Sequence, residues 1–248
     1  MTIRAGTSGY SYKEWKGTFY PEDLAADAML AHYGSRLPAV EINNTFYRLP
    51  KEKVLESWCT QVPEDFRFAI KASRRITHIR RLKGAESEMQ FLLGNLGIMG
   101  ARLGAILFQL PPNLGADLPR LEAFMELLPP RAPAAFEFRN ETWFSDDVFE
   151  CLKRHNRALV HVDAEEGDEE RTPAPLTATA DWGYLRMRRQ NYDDAAIAAW
   201  RERLESQPWR DCYVFFKHEL LGPQLAERLH AAGAGAAKPH AKRGRGKA

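Results

Sequence analysis

Ala135-Phe136-Glu137-Phe138-Arg139 is a short apolar run in which two charged side chains stand two residues apart. On a β-strand, residues i and i+2 share one face, so Glu137 and Arg139 point the same way from an otherwise hydrophobic segment. Charge on a half-buried strand is costly unless it is paired or used. The run therefore predicts a strand that ends in polar groups, either as an internal ion pair or as part of a site.

Three other hydrophobic runs end with the same spacing of polar side chains. The pairs are Glu41 with Asn43, His161 with Asp163, and Arg186 with Arg188. A single pair is explained as well by a structural ion pair as by a site, but recurrence on several strands favours function. We expect the four pairs to contribute to one polar site.

Short runs of β-branched and aromatic residues alternate with longer amphipathic segments along the chain, which is typical of repeated βα units and a parallel sheet. The predicted strands are 3–6, 39–43, 66–71, 103–110, 134–139, 158–163, 182–187 and 212–217. The predicted helices are 25–36, 51–61, 86–101, 118–128, 146–155, 194–205 and 224–232. Residues 165–180 are acidic and proline-bearing without an apolar period, which predicts a loop or a degenerate helix.

Eight βα units in a chain of 248 residues predict an α/β fold, a single-domain TIM (β/α)8 barrel over 1–232. In such barrels catalytic groups lie at the carboxyl ends of the strands, where the four pairs fall. A doubly wound open sheet is the alternative. It usually carries a nucleotide-binding loop, and the sequence contains neither G-x-G-x-x-G after a strand nor a Walker A motif.

The charge of the chain is distributed unevenly. Five lysine and arginine residues and no acid lie in 238–248, so a formal charge of +2 for the whole chain leaves a net acidic body. We expect 233–248 to be a disordered basic tail with weak, non-specific affinity for anions such as nucleic acid, or simply a solubilising segment. The absence of a signal peptide, of long apolar runs and of a paired cysteine pattern predicts a cytoplasmic protein that does not cross a membrane.

Two loops add binding chemistry to the predicted barrel mouth. Residues 10–21 are rich in aromatics, which form either a structural cap or a wall on which a sugar ring or base stacks. Residues 71–83 hold six lysine or arginine residues, one histidine and no acid, which predicts either a solvated surface or an anion-binding loop that could also contact nucleic acid.

The candidate site residues follow from these positions. Glu41 and Glu137 are the candidates for proton transfer. The candidates for binding the substrate are Tyr10, Trp15, Asn43, Tyr47, Lys71, His78, Gln109, Arg139, Asp163, Arg186 and Lys217.

Several of these motifs together resemble the YecE-like family, also called domain of unknown function 72. The resemblance rests on Gly6-Thr7-Ser8-Gly9-Tyr10 with Phe19-Tyr20-Pro21, Val40-Glu41-Ile42-Asn43, Phe108-Gln109-Leu110-Pro111-Pro112 and Glu137-Phe138-Arg139. It covers nearly the whole body of the chain. It implies a TIM barrel without a firmly assigned reaction, distantly similar to sugar isomerases and apurinic endonucleases.

Three functions are compatible with these residues. The first is an enzyme that acts on an anionic substrate, a phosphorylated sugar or a nucleic-acid fragment, by carboxylate acid/base chemistry without a required cofactor. The second is a non-catalytic module that binds a metabolite or nucleic acid. The third is an isomerase or hydrolase with a divalent metal on Glu41, Glu137, His161 and Asp163, although no H-E-x-x-H or H-x-H spacing supports a metal site.

Overall fold

The protein folds into a closed barrel of eight parallel strands, which confirms the predicted TIM barrel. The structure is a computed structural model that describes residues 1–167 and 174–232. The strands follow chain order around the barrel, and β1 pairs with β8 to close it. They are β1 (Thr2–Ser8), β2 (Ala39–Ile42), β3 (Arg67–Lys71), β4 (Leu103–Gln109), β5 (Ala134–Glu137), β6 (Ala158–Asp163), β7 (Trp182–Met187) and β8 (Asp211–Phe216).

Helices connect most of the strands, as the apolar periodicity predicts. They are α1 (Met29–Arg36), α2 (Glu52–Gln61), α3 (Glu86–Leu96), α4 (Leu118–Met125), α5 (Asp146–Arg154), α6 (Asp194–Glu205) and α7 (Gly222–Ala231). Helix α3 ends earlier than predicted because a 3-10 segment follows in which Gly100 has φ +51°, outside the helical region. The described residues between β6 and β7 contain no helix.

Strand parity divides the core into two layers. Small and aromatic residues fill the barrel interior, among them Ala69, Ala135, Tyr184 and Phe215. Alternate residues of the same strands face outward and pack against the helices in a larger apolar layer. A side chain near the carboxyl end of a strand therefore reaches the barrel mouth only if it lies an even number of residues from the inward-facing residues of that strand.

The predicted basic tail, 233–248, lies outside the described residues. Within the described part of the chain, no helix is long and apolar enough to cross a membrane. The three cysteines Cys59, Cys151 and Cys212 are free thiols.

Candidate functional site

A buried arginine joins two buried carboxylates at the carboxyl end of the barrel interior. Arg186 donates through Nη1 to Oε2 of Glu137 at 2.8 Å and through Nη2 to Oε1 of Glu41 at 3.1 Å. All three residues are at most 3% exposed. Buried charges persist when opposite charges and hydrogen bonds satisfy them, so the three side chains form one unit, which we call the buried centre.

Glu41 has further donors around both of its oxygens. Oε1 accepts from Ser8 Oγ at 2.6 Å and from Asn43 Nδ2 at 2.9 Å, and Oε2 accepts from the Tyr184 hydroxyl at 2.6 Å. Burial by itself raises the pKa of Glu41, but Arg186 and these donors outweigh it and lower the pKa below its ordinary value. Glu41 is therefore an ionised carboxylate at neutral pH.

Both carboxylate oxygens of Glu137 also accept hydrogen bonds. Its Oε1 accepts from Gln109 Nε2 at 2.7 Å and from Arg139 Nε at 3.1 Å. Burial favours the neutral form, but Arg186 and Arg139 prevail and lower the pKa of Glu137 to about 2. A general base works best with a pKa near the operating pH, and the pKa of Glu137 lies well below neutral; the proton-transfer roles of Glu41 and Glu137 stay predictions.

Lys71 stands beside the buried centre at the end of β3. Its Nζ lies 4.5 Å from the centroid of the Phe46 ring, a cation–π contact. Burial, followed by the charge of Arg186, lowers the pKa of Lys71 to about 8, although Glu137 and Glu41 act in the opposite direction. With this pKa, Lys71 is partly deprotonated a little above neutral pH.

Other cations gather at the same end of the barrel. Lys217 follows β8, and desolvation together with Arg188 and Arg186 lowers its pKa. His78 packs edge-on against Phe46 with ring centroids 4.9 Å apart, and burial together with Lys71 lowers the pKa of His78. The cations at this end of the barrel outnumber the two carboxylates of the buried centre, so the local charge is net positive.

The predicted aromatic wall is not one surface. Trp15 is 1% exposed and donates its indole N–H to the carbonyl of Glu219 at 2.6 Å, so it packs inside the protein rather than facing a ligand. Tyr47 is 73% exposed, whereas Tyr10 is half-buried. The cap interpretation therefore fits Trp15, and Tyr10 remains a candidate for ligand contact.

The pair on β6 points to the opposite side of the sheet, so the expectation that all four pairs share one site is wrong. Asp163 accepts from Arg189, from the Tyr192 hydroxyl at 3.0 Å and from the Trp200 indole at 3.0 Å. His161 has the same parity and lies beside Trp200 of α6. We call these residues the outer cluster. The physical reason is that residues 161 and 163 alternate with Val160 and Val162, which fill the barrel interior.

This separation also removes the ligand set of the predicted metal site. Glu41 and Glu137 bind Arg186 inside the barrel, while His161 and Asp163 lie on the helix side. Within the part of the chain that the structure describes, no group of three or more histidine, cysteine, aspartate or glutamate side chains is placed to hold a metal ion.

Two partners in the buried centre were not predicted from sequence. Ser8 ends β1, and Tyr184 stands two residues before Arg186 on β7. The same parity rule that selected Arg186 places Tyr184 on the inner face, so this signal was present. Ser8 lies in the Gly6–Tyr10 motif, but no residue pattern indicates its partner, and it meets Glu41 because β1 pairs in parallel with β2.

The fold and the buried centre define the class of protein: a TIM barrel whose strand ends carry a buried ion-pair unit and an excess of cations. The chain belongs to the family described as "Protein of unknown function DUF72", whose model matches residues 4–245.

Two curated relatives cover part of the chain. It is 32% identical over 137 residues to UPF0759 protein YecE of Escherichia coli strain K12 and 28% identical over 142 residues to UPF0759 protein YunF of Bacillus subtilis strain 168. Each match covers 54% of this chain and 50% of the relative, so the matched region spans about half the length of those proteins.

Solved structures resemble the barrel over nearly its full length. A DUF72 family protein from Thermotoga maritima has a TM-score of 0.79 at 24% identity, covering 94% of this chain and 100% of that one. A second, from Enterococcus faecalis, has a TM-score of 0.77 at 20% identity, covering 93% and 95%. At this identity the likeness concerns the fold, so function has to be argued from the site.

Proposed function

We propose that the barrel mouth binds a small anionic substrate and that the protein is an acid/base enzyme in which Lys71 moves the proton. The observation that carries the proposal is the surplus of cations around the buried centre. Arg186 and Arg139 act electrostatically on both Lys71 and Lys217. In TIM barrels, phosphate groups are frequently bound by the loops after strands 7 and 8. Here the first of these loops follows β7, the strand that carries Arg186, and the second lies between β8 and α7.

Lys71 is assigned the proton transfer because it combines position with a suitable acidity. It lies at a strand end beside the buried centre, and its pKa of about 8 lets it give or take a proton near neutral pH. The bound anion would favour the charged form of Lys71, so binding and protonation reinforce each other.

Glu41 and Glu137 position charge in this proposal, rather than transferring the proton as their residue type predicts. Glu41 and Glu137 hold both ends of the Arg186 guanidinium, and Gln109, Ser8 and Tyr184 complete their hydrogen bonds. A rigid set of buried charges is a preorganised electrostatic environment for the charge of a substrate. Glu41 and Glu137 are therefore positioning residues, and a phosphorylated sugar or a nucleic-acid fragment is the substrate class.

Titration with anions tests the proposal. Sulfate, inorganic phosphate and phosphate monoesters are titrated into the wild-type protein and into Lys71→Met, with Lys153→Met as matched control because Lys153 lies on α5 in an exposed ion pair with Glu150. We expect Lys71→Met to bind at least about tenfold more weakly and the control to bind normally. Equal affinity in all three proteins would contradict the assignment of the site.

Turnover distinguishes an enzyme from a binding module. The same proteins are assayed with phosphosugars and with nicked or abasic DNA. Hydrolysis or isomerisation that Lys71→Met abolishes supports the enzyme, whereas binding without turnover over this panel favours the non-catalytic module.

Nucleic acid is a proposed partner through the basic loop 71–83 and the tail. Arg74 and Arg75 are exposed on this loop, Arg81 is half-buried, and Arg80 is paired with Glu88 at 3.0 Å. Removing 233–248 and measuring DNA affinity at several salt concentrations separates the two regions. Affinity and a steep salt slope that vanish together with the tail would assign binding to the tail, and affinity that persists would assign it to the loop and mouth.

A further inference from the structure

A cavity lies at the carboxyl ends of β1 and β2. It has a volume of about 360 Å³ and is formed by the loops after β1 and β2. Its lining includes Ser8, Tyr10, Ser11, Tyr12, Asn43 and Trp58, and no charged side chain contributes to it. Ser8 and Asn43 line the cavity and also donate hydrogen bonds to Glu41, so the cavity adjoins the buried centre.

Asn43 presents an unsatisfied acceptor at this place. Its Nδ2 donates to Ser8 Oγ at 2.7 Å and to Glu41 Oε1 at 2.9 Å. The amide cannot be turned around, because an ionised carboxylate only accepts hydrogen bonds and would then face the Asn43 oxygen. Asn43 Oδ1 is buried and accepts no hydrogen bond from any residue that the structure describes. A buried acceptor without a donor is costly, so a ligand that brings a hydroxyl or amine donor gains by satisfying it.

The loop after β1 is held in a shape that keeps the cavity open. Gly9 has φ +91°, and a Cβ at this residue would lie 2.8 Å from the ring of Tyr12. The Tyr12 hydroxyl donates to the carbonyl of Ser8 at 2.8 Å, which ties the loop to the end of β1. The volume is within the range of preformed small-molecule sites, about 300–1,000 Å³.

We infer that this cavity, the neutral subsite, holds the hydroxyl-bearing part of the substrate while its anionic group lies on the cations of the mouth. The inference rests on the proposed function and deepens it by naming a sugar phosphate as the substrate class. A neutral lining rejects a second anionic group, hydroxyl and amide groups match sugar hydroxyls, and the tyrosine and tryptophan rings match the apolar face of a sugar ring. Asn43 Oδ1 accepts a hydrogen bond from one of the sugar hydroxyls.

A pair of probes separates the subsite from the anion site. Ribose 5-phosphate and inorganic phosphate are titrated into the wild type and into two variants, Ser11→Trp and Asn44→Trp, which fill the subsite from exposed positions on its two loops. Ser206→Trp is the matched control, because Ser206 is exposed at the end of α6, on the opposite side of the barrel from the mouth.

The wild type and the control should bind ribose 5-phosphate at least about tenfold more tightly than inorganic phosphate. Both subsite variants should lose that preference while their affinity for inorganic phosphate stays within a factor of about two to three, a split that general misfolding does not produce.

Equal affinity of the wild type for the two probes would overturn the subsite and leave the anion site standing. Retention of the preference in both variants would also overturn it. Failure of the wild type to bind either probe would overturn the proposed function together with the subsite.

Discussion

The buried centre and the outer cluster use the same chemistry on opposite sides of one sheet. In the centre, Arg186 of β7 binds Glu41 and Glu137 inside the barrel. In the outer cluster, Arg189 follows β7 and binds Asp163 of β6, whose second oxygen accepts from aromatic N–H and O–H groups of Trp200 and Tyr192. Each carboxylate is satisfied, but the surroundings differ.

The difference lies in what remains available to a ligand. The outer cluster is completed by α6 and the segment before it, so its hydrogen bonds join secondary-structure elements. The buried centre lies beside Lys71 and Lys217, and its partners Ser8 and Asn43 line the cavity between the loops after β1 and β2. A carboxylate with an arginine partner is therefore not by itself a sign of function, and the residues around the ion pair decide its role.

Replacing the shared arginine should produce the largest effect. Arg186→Met leaves two buried carboxylates without their common cation, which we expect to lower the free energy of unfolding by about 3–5 kcal/mol. The comparison is Arg189→Met, which removes a guanidinium that is 49% exposed and leaves Asp163 its two aromatic donors. That variant should lose no more than about 1 kcal/mol. Urea denaturation measures the free energy of unfolding of both variants. Similar losses would contradict the expectation that the arginine of the buried centre contributes more to stability than that of the outer cluster.

Acid should weaken the buried centre. The pKa of Glu137 is about 2 in the folded protein and near 4.5 ordinarily, so the unfolded chain binds more protons between these values. The stabilisation is complete above about pH 5 and is lost as the pH falls towards 2, on the order of 3 kcal/mol at most. Glu137→Gln should show a shallower decline of unfolding free energy over this range. An unchanged slope would contradict the lowered pKa.

Alkali should weaken anion binding at the mouth. Lys71, with a pKa of about 8, loses its charge as the pH rises through that value. Sulfate is a suitable probe because it stays a dianion, and we expect its affinity to fall about tenfold between pH 7 and pH 10. In Lys71→Arg the charge persists at high pH, so binding should stay nearly constant. The same fall in both proteins would assign the dependence to another group.

The smallest effect should come from Asp163→Asn. The amide oxygen can still accept from Tyr192 and Trp200, and only the contact with the half-exposed Arg189 is weakened. We expect a loss of about 1 kcal/mol in unfolding free energy and no change in sulfate affinity. A marked loss of sulfate binding would mean that the two clusters are coupled across the sheet.

The sequence predicted the barrel because its evidence is local and repeated. Most βα units carry their own apolar period, and four of the strand ends are marked by polar residues at i and i+2. Parity within one strand also placed Glu137 with Arg139 and Arg186 with Arg188. Parity relative to the barrel axis is not visible in a single strand, which is why His161 and Asp163 were assigned to the wrong side.

The proton-transfer assignment shows the same limit. A glutamate at a strand end is a reasonable general base until its neighbours are known. Arg186 is 145 positions away from Glu41 and 49 from Glu137, and no local pattern reveals that all three meet. The pKa of each carboxylate depends on this meeting, so the sequence could name the residues but not their protonation or role.

The sequence by itself determined the barrel and the family, because hydrophobic periodicity and short motifs are written in neighbouring residues. Only the tertiary structure decided which polar pairs face the interior, that Arg186 joins Glu41 and Glu137, and that burial beside them lowers the pKa of Lys71. Closing the barrel brings distant strand ends into one place of low dielectric, where burial and mutual charge set acidity and available hydrogen bonds.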